Sequence, residues 1–403
     1  MSKSFGERWL LLATSFAYLL IGLEVLFMVT PFALYFYSVY GPVLELLGAS
    51  PLTAWTTEFF LPHMVFVDNT LINWLSYLQT LFAIGLLLFL VAAIPLYYGR
   101  WTGKGVVSFW LYRRMRHPQY LFLAISGFGL LLYWPRFIVL IFFVMMLFVY
   151  YLLARNEEWR MKKEQPGAYQ DYMDRSYMFL PGEPGGKLYR QLLGWLQPKW
   201  LGLSALFVLI MGGSLLLAFA LRDYTLDQLP ALQLENVALV SVYPRELDSV
   251  EQLYREVVAR PEVSQALAGH HYRLAYLMPG DFFLTGLILE EGPRFSEAQL
   301  KRYPSLRNEG RERSDWLIKF FRLGYKFFRT IGSSRRVYDV ERFVFVETVD
   351  MQGTAVPPEQ VFDAGVRRYP ALIVDVDFET HELLSIHPVS GKNRWGRLPM
   401  PVF

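Results

Sequence analysis

The strongest constraint on this chain is the distribution of its apolar residues. A bilayer core takes about 20 predominantly apolar residues in helix. Five runs of that character crowd the first half: Trp9 to about Phe36, Leu71–Tyr98, Tyr120–Tyr133, Phe137–Ala154 and Trp200–Leu221. The first is long enough to tilt or to bend at Pro31. It is also too long for a signal peptide, and no A-x-A-like site follows, so it is expected to be a retained helix. The third is short and carries Gly127 and Gly129, a small-residue face on which it can lean against a neighbour. It forms a hairpin with the fourth around Trp134-Pro135-Arg136. Overall composition, 54% hydrophobic and 17% aromatic, is high for a soluble protein, and the excess lies before residue 222.

The expected fold class is therefore an α-helical polytopic membrane domain of about five transmembrane helices, residues 1–221, followed by a soluble α+β domain, residues 222–403. In the second part Asn236–Tyr243, Tyr272–Leu277, Phe282–Leu289, Val337–Val349 and Ala371–Phe378 read as strands. Ser249–Ala259 and Ser314–Ile331 read as helices, and Pro261 ends the first of them or starts a short second one. Ser314–Ile331 sets Trp316, Phe320, Leu323, Phe327 and Ile331 against Lys319, Arg322, Lys326 and Arg329. That pattern suits a helix lying in a bilayer interface, and equally one capping its own domain's core.

Lys and Arg in the short loops set the orientation. Residues 38–70 carry none, whereas Gly99–Gln119 and 155–199 are rich in them. This predicts an integral membrane protein with a cytoplasmic N-terminus and an extracytoplasmic C-terminal domain, in a bacterial inner membrane. The formal net charge of +3 gives no case for a nucleic-acid partner. With no cysteine, disulfides, thiolate metal sites and thiol nucleophiles are excluded. His63, His270, His271, His381 and His387 lack a matched carboxylate spacing, so no metal site is expected. Glu24, an ionisable residue inside the first apolar run, suggests a functional role.

Two segments at the basic ends of the hairpin carry the chemistry. Tyr112-Arg-Arg-Met-Arg116-His117-Pro118-Gln-Tyr120 precedes the third run. Arg155-Asn-Glu157-Glu158 follows the fourth, and then come Gly167-Ala-Tyr169-Gln-Asp-Tyr172 and Leu180-Pro181. On a helix Arg155 reaches Glu158 at i+3, and Glu158 reaches Lys162 at i+4.

This paired pattern over about Ser108–Pro181 resembles the integral-membrane methyltransferases that include isoprenylcysteine carboxyl methyltransferase and the phospholipid methyltransferases. The resemblance implies S-adenosylmethionine as cofactor and a lipid or isoprenoid-like methyl acceptor reached from the membrane. It implies cofactor binding by Tyr112, Arg116, His117, Pro118, Tyr120, Glu157 and Glu158, and catalysis involving Arg155 and Glu158. Arg116 and His117 suit the cofactor's carboxylate, and Glu157 or Glu158 its ammonium or ribose. Glu158 is the nearest base for an acceptor that must lose a proton. The sequence departs from the family at Trp110 and Phe122, where glycine is usual, and at Met178, where a second arginine is usual. Two other readings remain. One is a membrane-anchored binding or assembly protein with a partner on its outer domain. The other is a membrane reductase or isomerase, which would need nicotinamide or haem.

Overall fold

The computed structural model describes residues 41–102 apart from 64, 110–280 apart from 244, and 340–389 apart from 378, with a few positions between 19 and 35. The chain divides into two compact units. The first is Met1–Leu47, Phe59–His63 and Asn69–Thr225; the second is Gly48–Glu58, Met64–Asp68 and Leu226–Phe403.

In the first unit a short helix α1 (Gly41–Gly48) precedes α2 (Thr70–Tyr77), α3 (Leu81–Trp101), α4 (Pro118–Tyr133), α5 (Phe137–Glu164), α6 (Pro166–Asp174), α7 (Pro184–Leu193) and α8 (Lys199–Leu226). Asn69 caps α2, its side chain accepting from the backbone N–H of Leu71 and Ile72. A 3-10 turn at Leu78–Thr80 joins α2 to α3. Among the described residues three helical stretches are long and apolar enough to cross a membrane: Thr70–Gly99, Phe137–Glu164 and Lys199–Leu226. The α4 helix is apolar but only 16 residues long, about 24 Å against the roughly 30 Å of a hydrocarbon core. Of the first apolar run, residues 29–35 are described and helical, and Glu24 lies outside the described residues.

Glycine lets α3 and α4 touch backbone to backbone. A Cβ on Gly85 would stand 2.4 Å from the Ser126 nitrogen, and one on Gly129 would stand 2.1 Å from the Phe82 nitrogen. The Ser126 hydroxyl donates to the Phe82 carbonyl at 2.9 Å, fixing the register of that contact. The Tyr35 hydroxyl donates to the Gly127 carbonyl at 2.5 Å. The α4–α5 turn is sealed by residues 59–63. The Phe60 N–H donates to the Pro135 carbonyl at 2.8 Å, and the Arg136 guanidinium lies 4.0 Å from the Phe59 ring centroid. His63 packs into the same cluster, 4.6 Å from the Trp134 ring. Burial, and then the Arg136 charge, lower its pKa to about 3, so the ring is neutral there.

Among the described residues the second unit holds a six-stranded sheet with two helices on one face. Its strands are β1 (Ala231–Gln233), β2 (Ala238–Ser241), β3 (Tyr272–Pro279), β4 (Val340–Val349), β5 (Arg367–Asp377) and β6 (Leu383–Pro388), in that spatial order. Among these described strands only the β2–β3 pair is parallel, and it needs a crossover. Helices α9 (Leu247–Val258) and α10 (Pro261–Leu267) supply it, with Pro261 in the first turn of α10. Their Val250, Leu253, Val257 and Val263 pack on Leu239, Leu277, Phe345 and Val374 of the sheet. Pro370 sits inside β5 opposite Val346, where the register slips, so the missing N–H falls at an irregularity of the ladder. Strands β1 and β6 have no counterpart in the sequence-based expectation. Phe282–Leu289 and Ser314–Ile331 lie outside the described residues.

Alternation along β4 and β5 places charged side chains on the sheet face opposite the helices. Arg342 forms a two-pronged pair with Asp375, at 2.5 and 2.7 Å, and neither side chain is exposed. Arg368 lies 3.6 Å from Glu58, whose other carboxylate oxygen accepts the Gly365 N–H at 3.1 Å. Glu58 thus ties residues 48–58 into this unit, and the Phe66 N–H, donating to the Val242 carbonyl at 2.9 Å, ties in residues 64–68.

Candidate functional site

The site grows from the segment that leads into α4. Met115 pairs with Tyr177 as a parallel bridge. The Tyr177 N–H donates to the Arg114 carbonyl, while the N–H groups of Arg116 and His117 donate to the carbonyls of Tyr177 and Met178 at 2.8 and 3.0 Å. Pro118 then starts α4 without wasting an N–H, since a helix's first N–H groups have no internal acceptor. Residues 114–117 and 177–178 are therefore one small ribbon laid across the ends of α4 and α5.

Two tyrosines hold this ribbon from behind. The Tyr112 hydroxyl meets the Ala92 carbonyl at 3.0 Å and the Gln119 side-chain oxygen at 3.2 Å. The Tyr172 hydroxyl donates to the Tyr112 carbonyl at 2.6 Å. Burial pushes the Tyr172 phenol up to about 12, so it remains a donor. Tyr169 and Tyr172, spaced i, i+3 on α6, are both buried, with rings 5.9 Å apart.

Charged groups fill the front. Arg116 donates through Nε to Glu158 at 2.6 Å and through Nη1 to the Ser176 carbonyl at 2.5 Å. Its Nη2 lies 3.6 Å from Glu183. His117 stands between two carboxylates, with Nδ1 3.3 Å from Glu157 and Nε2 3.6 Å from Glu158. Both its nitrogens are buried and neither makes a hydrogen bond. Burial alone would push its pKa down, but the carboxylates of Glu157 and Glu158 outweigh that and raise it above 6.5. Tyr120 donates to Glu157 at 2.5 Å, and its ring lies 5.1 Å from that of Tyr150. The Tyr150 hydroxyl is buried without a hydrogen bond.

The two motifs, a transmembrane hairpin apart in sequence, thus meet in one buried cluster. Tyr112, Arg116, His117, Pro118, Tyr120 and Glu158 are buried there, and Glu157 is half-buried beside them. Arg155 is not in it: the side chain is exposed and turned to the Tyr151 hydroxyl at 3.3 Å. The expected local pairs of Glu158 with Arg155 and Lys162 are replaced by Arg116, because α5 turns Glu158 inward toward the ribbon. Two site residues had no sequence signal. Glu183 binds the Met178 N–H at 2.8 Å, and Ser176 offers its carbonyl to Arg116. At the positions that depart from the family, Trp110 is exposed in a left-handed conformation, φ 55°. Phe122 is buried in α4, where its carbonyl faces Gly85.

Elsewhere, His270 pairs with Glu347 and His381 with Glu256, each at 2.9 Å. Among the described residues no group of three or more His, Cys, Asp or Glu is placed to hold a metal ion. The second unit carries a groove of about 500 Å³ lined by residues that include Glu235, Tyr254, Arg255, His270, Tyr272 and Arg273. No family model, no curated protein and no solved structure matches the chain.

Proposed function

We propose that the chain is an integral-membrane methyltransferase that uses S-adenosylmethionine on a lipid or isoprenoid-like acceptor. The observation that carries this is the convergence of Arg116-His117-Pro118 and Glu157-Glu158 on one buried cluster at the ends of apolar helices. The cluster's chemistry fits the cofactor's amino-acid end, with the roles divided differently from the sequence expectation. Arg116 is committed to Glu158 and the Ser176 carbonyl, so it positions the ribbon. His117, held between Glu157 and Glu158 and with its pKa raised by them, would present its positive charge to the carboxylate. Glu157, the more accessible of the two carboxylates with 20% of its side chain exposed, would take the ammonium or a ribose hydroxyl. Tyr112 and Tyr120 back the site, and Tyr150 offers an uncommitted hydroxyl. Bound S-adenosylmethionine supplies a methyl group already activated on sulfur, so the protein has to orient and to exclude water. The acceptor is lipid-like because α4 and α5 lead from the hydrocarbon directly to the cluster.

The topology in this reading has about five spans in a bacterial inner membrane, the N-terminus and the cluster cytoplasmic and the sheet unit outside. Residues 48–58 and 64–68 belong to the same unit as the sheet, and this supports an even number of crossings between Asn69 and Leu226. Counting α4, a shorter apolar helix, as a crossing beside the three long helices gives four in this reading. The test is binding of radiolabelled S-adenosylmethionine to the full chain in detergent. His117→Ala and Glu157→Ala should each weaken it by roughly tenfold to a hundredfold, the worth of one hydrogen bond to a charged group. Arg155→Ala should leave it unchanged. Wild-type protein that binds no cofactor would overturn the reading. It would favour instead a binding role for the outer unit, for which its polar groove, rimmed by Tyr254, Tyr272 and two arginines, is the supporting observation.

A further inference from the structure

The segment just before α8 is amphipathic and carries one sign of charge. At 100° per residue, Leu188, Tyr189, Leu192 and Leu193 occupy one half of α7, and Lys187, Arg190 and Gln191 the other. From Pro184 to Leu203 there is no acidic residue, while Lys187, Arg190 and Lys199 are basic. Only part of the apolar half is used inside the protein. A Cβ on Gly202 would stand 2.4 Å from the Tyr189 hydroxyl and 3.3 Å from the Leu193 carbonyl, so that edge of α7 is pressed on the first turn of α8. The rest is bare: Leu188 is 56% exposed, Leu192 60% and Trp195 74%. Singly exposed apolar residues are ordinary, but a contiguous apolar strip beside cations is a contact surface.

The neighbouring helix identifies what that surface meets. The α8 helix is long and apolar enough to cross a membrane and begins at Lys199. Its first turn therefore marks the membrane boundary, and α7, clamped to that turn at Gly202, lies at the same level. We propose that α7 is an interfacial helix that binds an anionic lipid surface. Leu188, Leu192 and Trp195 enter the acyl boundary, and Lys187 and Arg190 meet the headgroups. Tryptophan suits such a boundary because its ring is apolar while its N–H is polar, and here that N–H is satisfied by the Leu192 carbonyl at 2.9 Å. The inference needs only that α8 spans a membrane and is independent of the methyl-transfer reading.

Because the chain has no cysteine, single sites can be labelled cleanly. Leu192→Cys and Gln191→Cys in the full chain would each carry an environment-sensitive fluorophore after reconstitution into vesicles. The vesicles are phosphatidylcholine with a minority of phosphatidylglycerol. Acyl-chain nitroxide lipids should quench the label at 192 strongly and that at 191 little. Nitroxide-labelled phosphatidylglycerol should quench at 192 more than its phosphatidylcholine counterpart. Lys187→Gln and Arg190→Gln should each reduce that excess, by up to about fivefold per charge. Three results would overturn the proposal: quenching at 192 by aqueous iodide in place of lipid, equal lipid quenching at both sites, or protection at 192 only when two copies share a vesicle. The last would make the strip a self-association face.

Discussion

Arg116 and Glu158 form an ion pair with only 7% and 8% of their side chains exposed. In so dry a place the pair's net worth is small, but losing one partner strands the other charge. Glu158→Ala should therefore destabilise the protein by about 3–5 kcal/mol. The double change Arg116→Met with Glu158→Leu should cost less than the sum of the singles; thermal melts of all three in detergent measure it. His117 adds a pH dependence. Its folded pKa is raised above the unfolded value of about 6.5. Its contribution to stability is then complete below pH about 6.5 and is lost as pH rises through the folded pKa. Wild-type melting temperature should fall across that window relative to His117→Asn, which has no such proton to lose. A wild-type profile parallel to the variant's would sink the assignment of a charged His117.

Between elements, glycine decides how closely α3 and α4 pack. Gly129→Ala drives a methyl group into the Phe82 backbone, which cannot swing aside as a side chain can. Such overpacking typically costs about 1–3 kcal/mol. Gly212→Ala on α8, where no atom lies within 4 Å, is the matched control and should not lower the melting temperature, since alanine is favoured over glycine inside a helix by about 0.5–1 kcal/mol. Equal melts would mean that α3 and α4 do not meet backbone to backbone at Gly129. The sequence marked Gly129 as part of a small-residue face because glycine among leucines in a short apolar run has few other uses. It did not mark Gly85, a lone glycine in a long span, whose role exists only once Ser126 lies opposite.

For the molecule as a whole, the sharpest question is which segments share a side of the membrane. Leu52→Cys and Ser249→Cys, both exposed and both in the second unit, should react with an impermeant maleimide in intact cells. Gln170→Cys, exposed on α6 beside the charged cluster, should react only after permeabilisation. Labelling at 52 without labelling at 249 would mean an odd number of crossings between them and would remove α4 as a span. Reaction at 170 alone would invert the orientation.

Local chemistry explains what the sequence determined alone. Hydrophobic length marked the three long helices, and β-branched runs marked β2, β3, β4 and β5. Pro118 marks a helix start because the constraint lies within the residue itself, whereas Pro261 marked a boundary whose sense, end or start, only the structure decided. The converging motifs were legible because both flank a single tight hairpin, Trp134-Pro135-Arg136. Tertiary structure decided the rest, where the partner is remote or the signal too short. Glu158 chose Arg116 over Arg155 and Lys162 because α5 turns it inward, which no spacing within its own helix encodes. His270 met Glu347 and His381 met Glu256 across 77 and 125 residues. Strand β1, three residues long, forms only because β2 is there to pair with it. Glu58, which nothing in its own segment singles out, became part of the second unit because Gly365 and Arg368 arrive beside it when the sheet assembles.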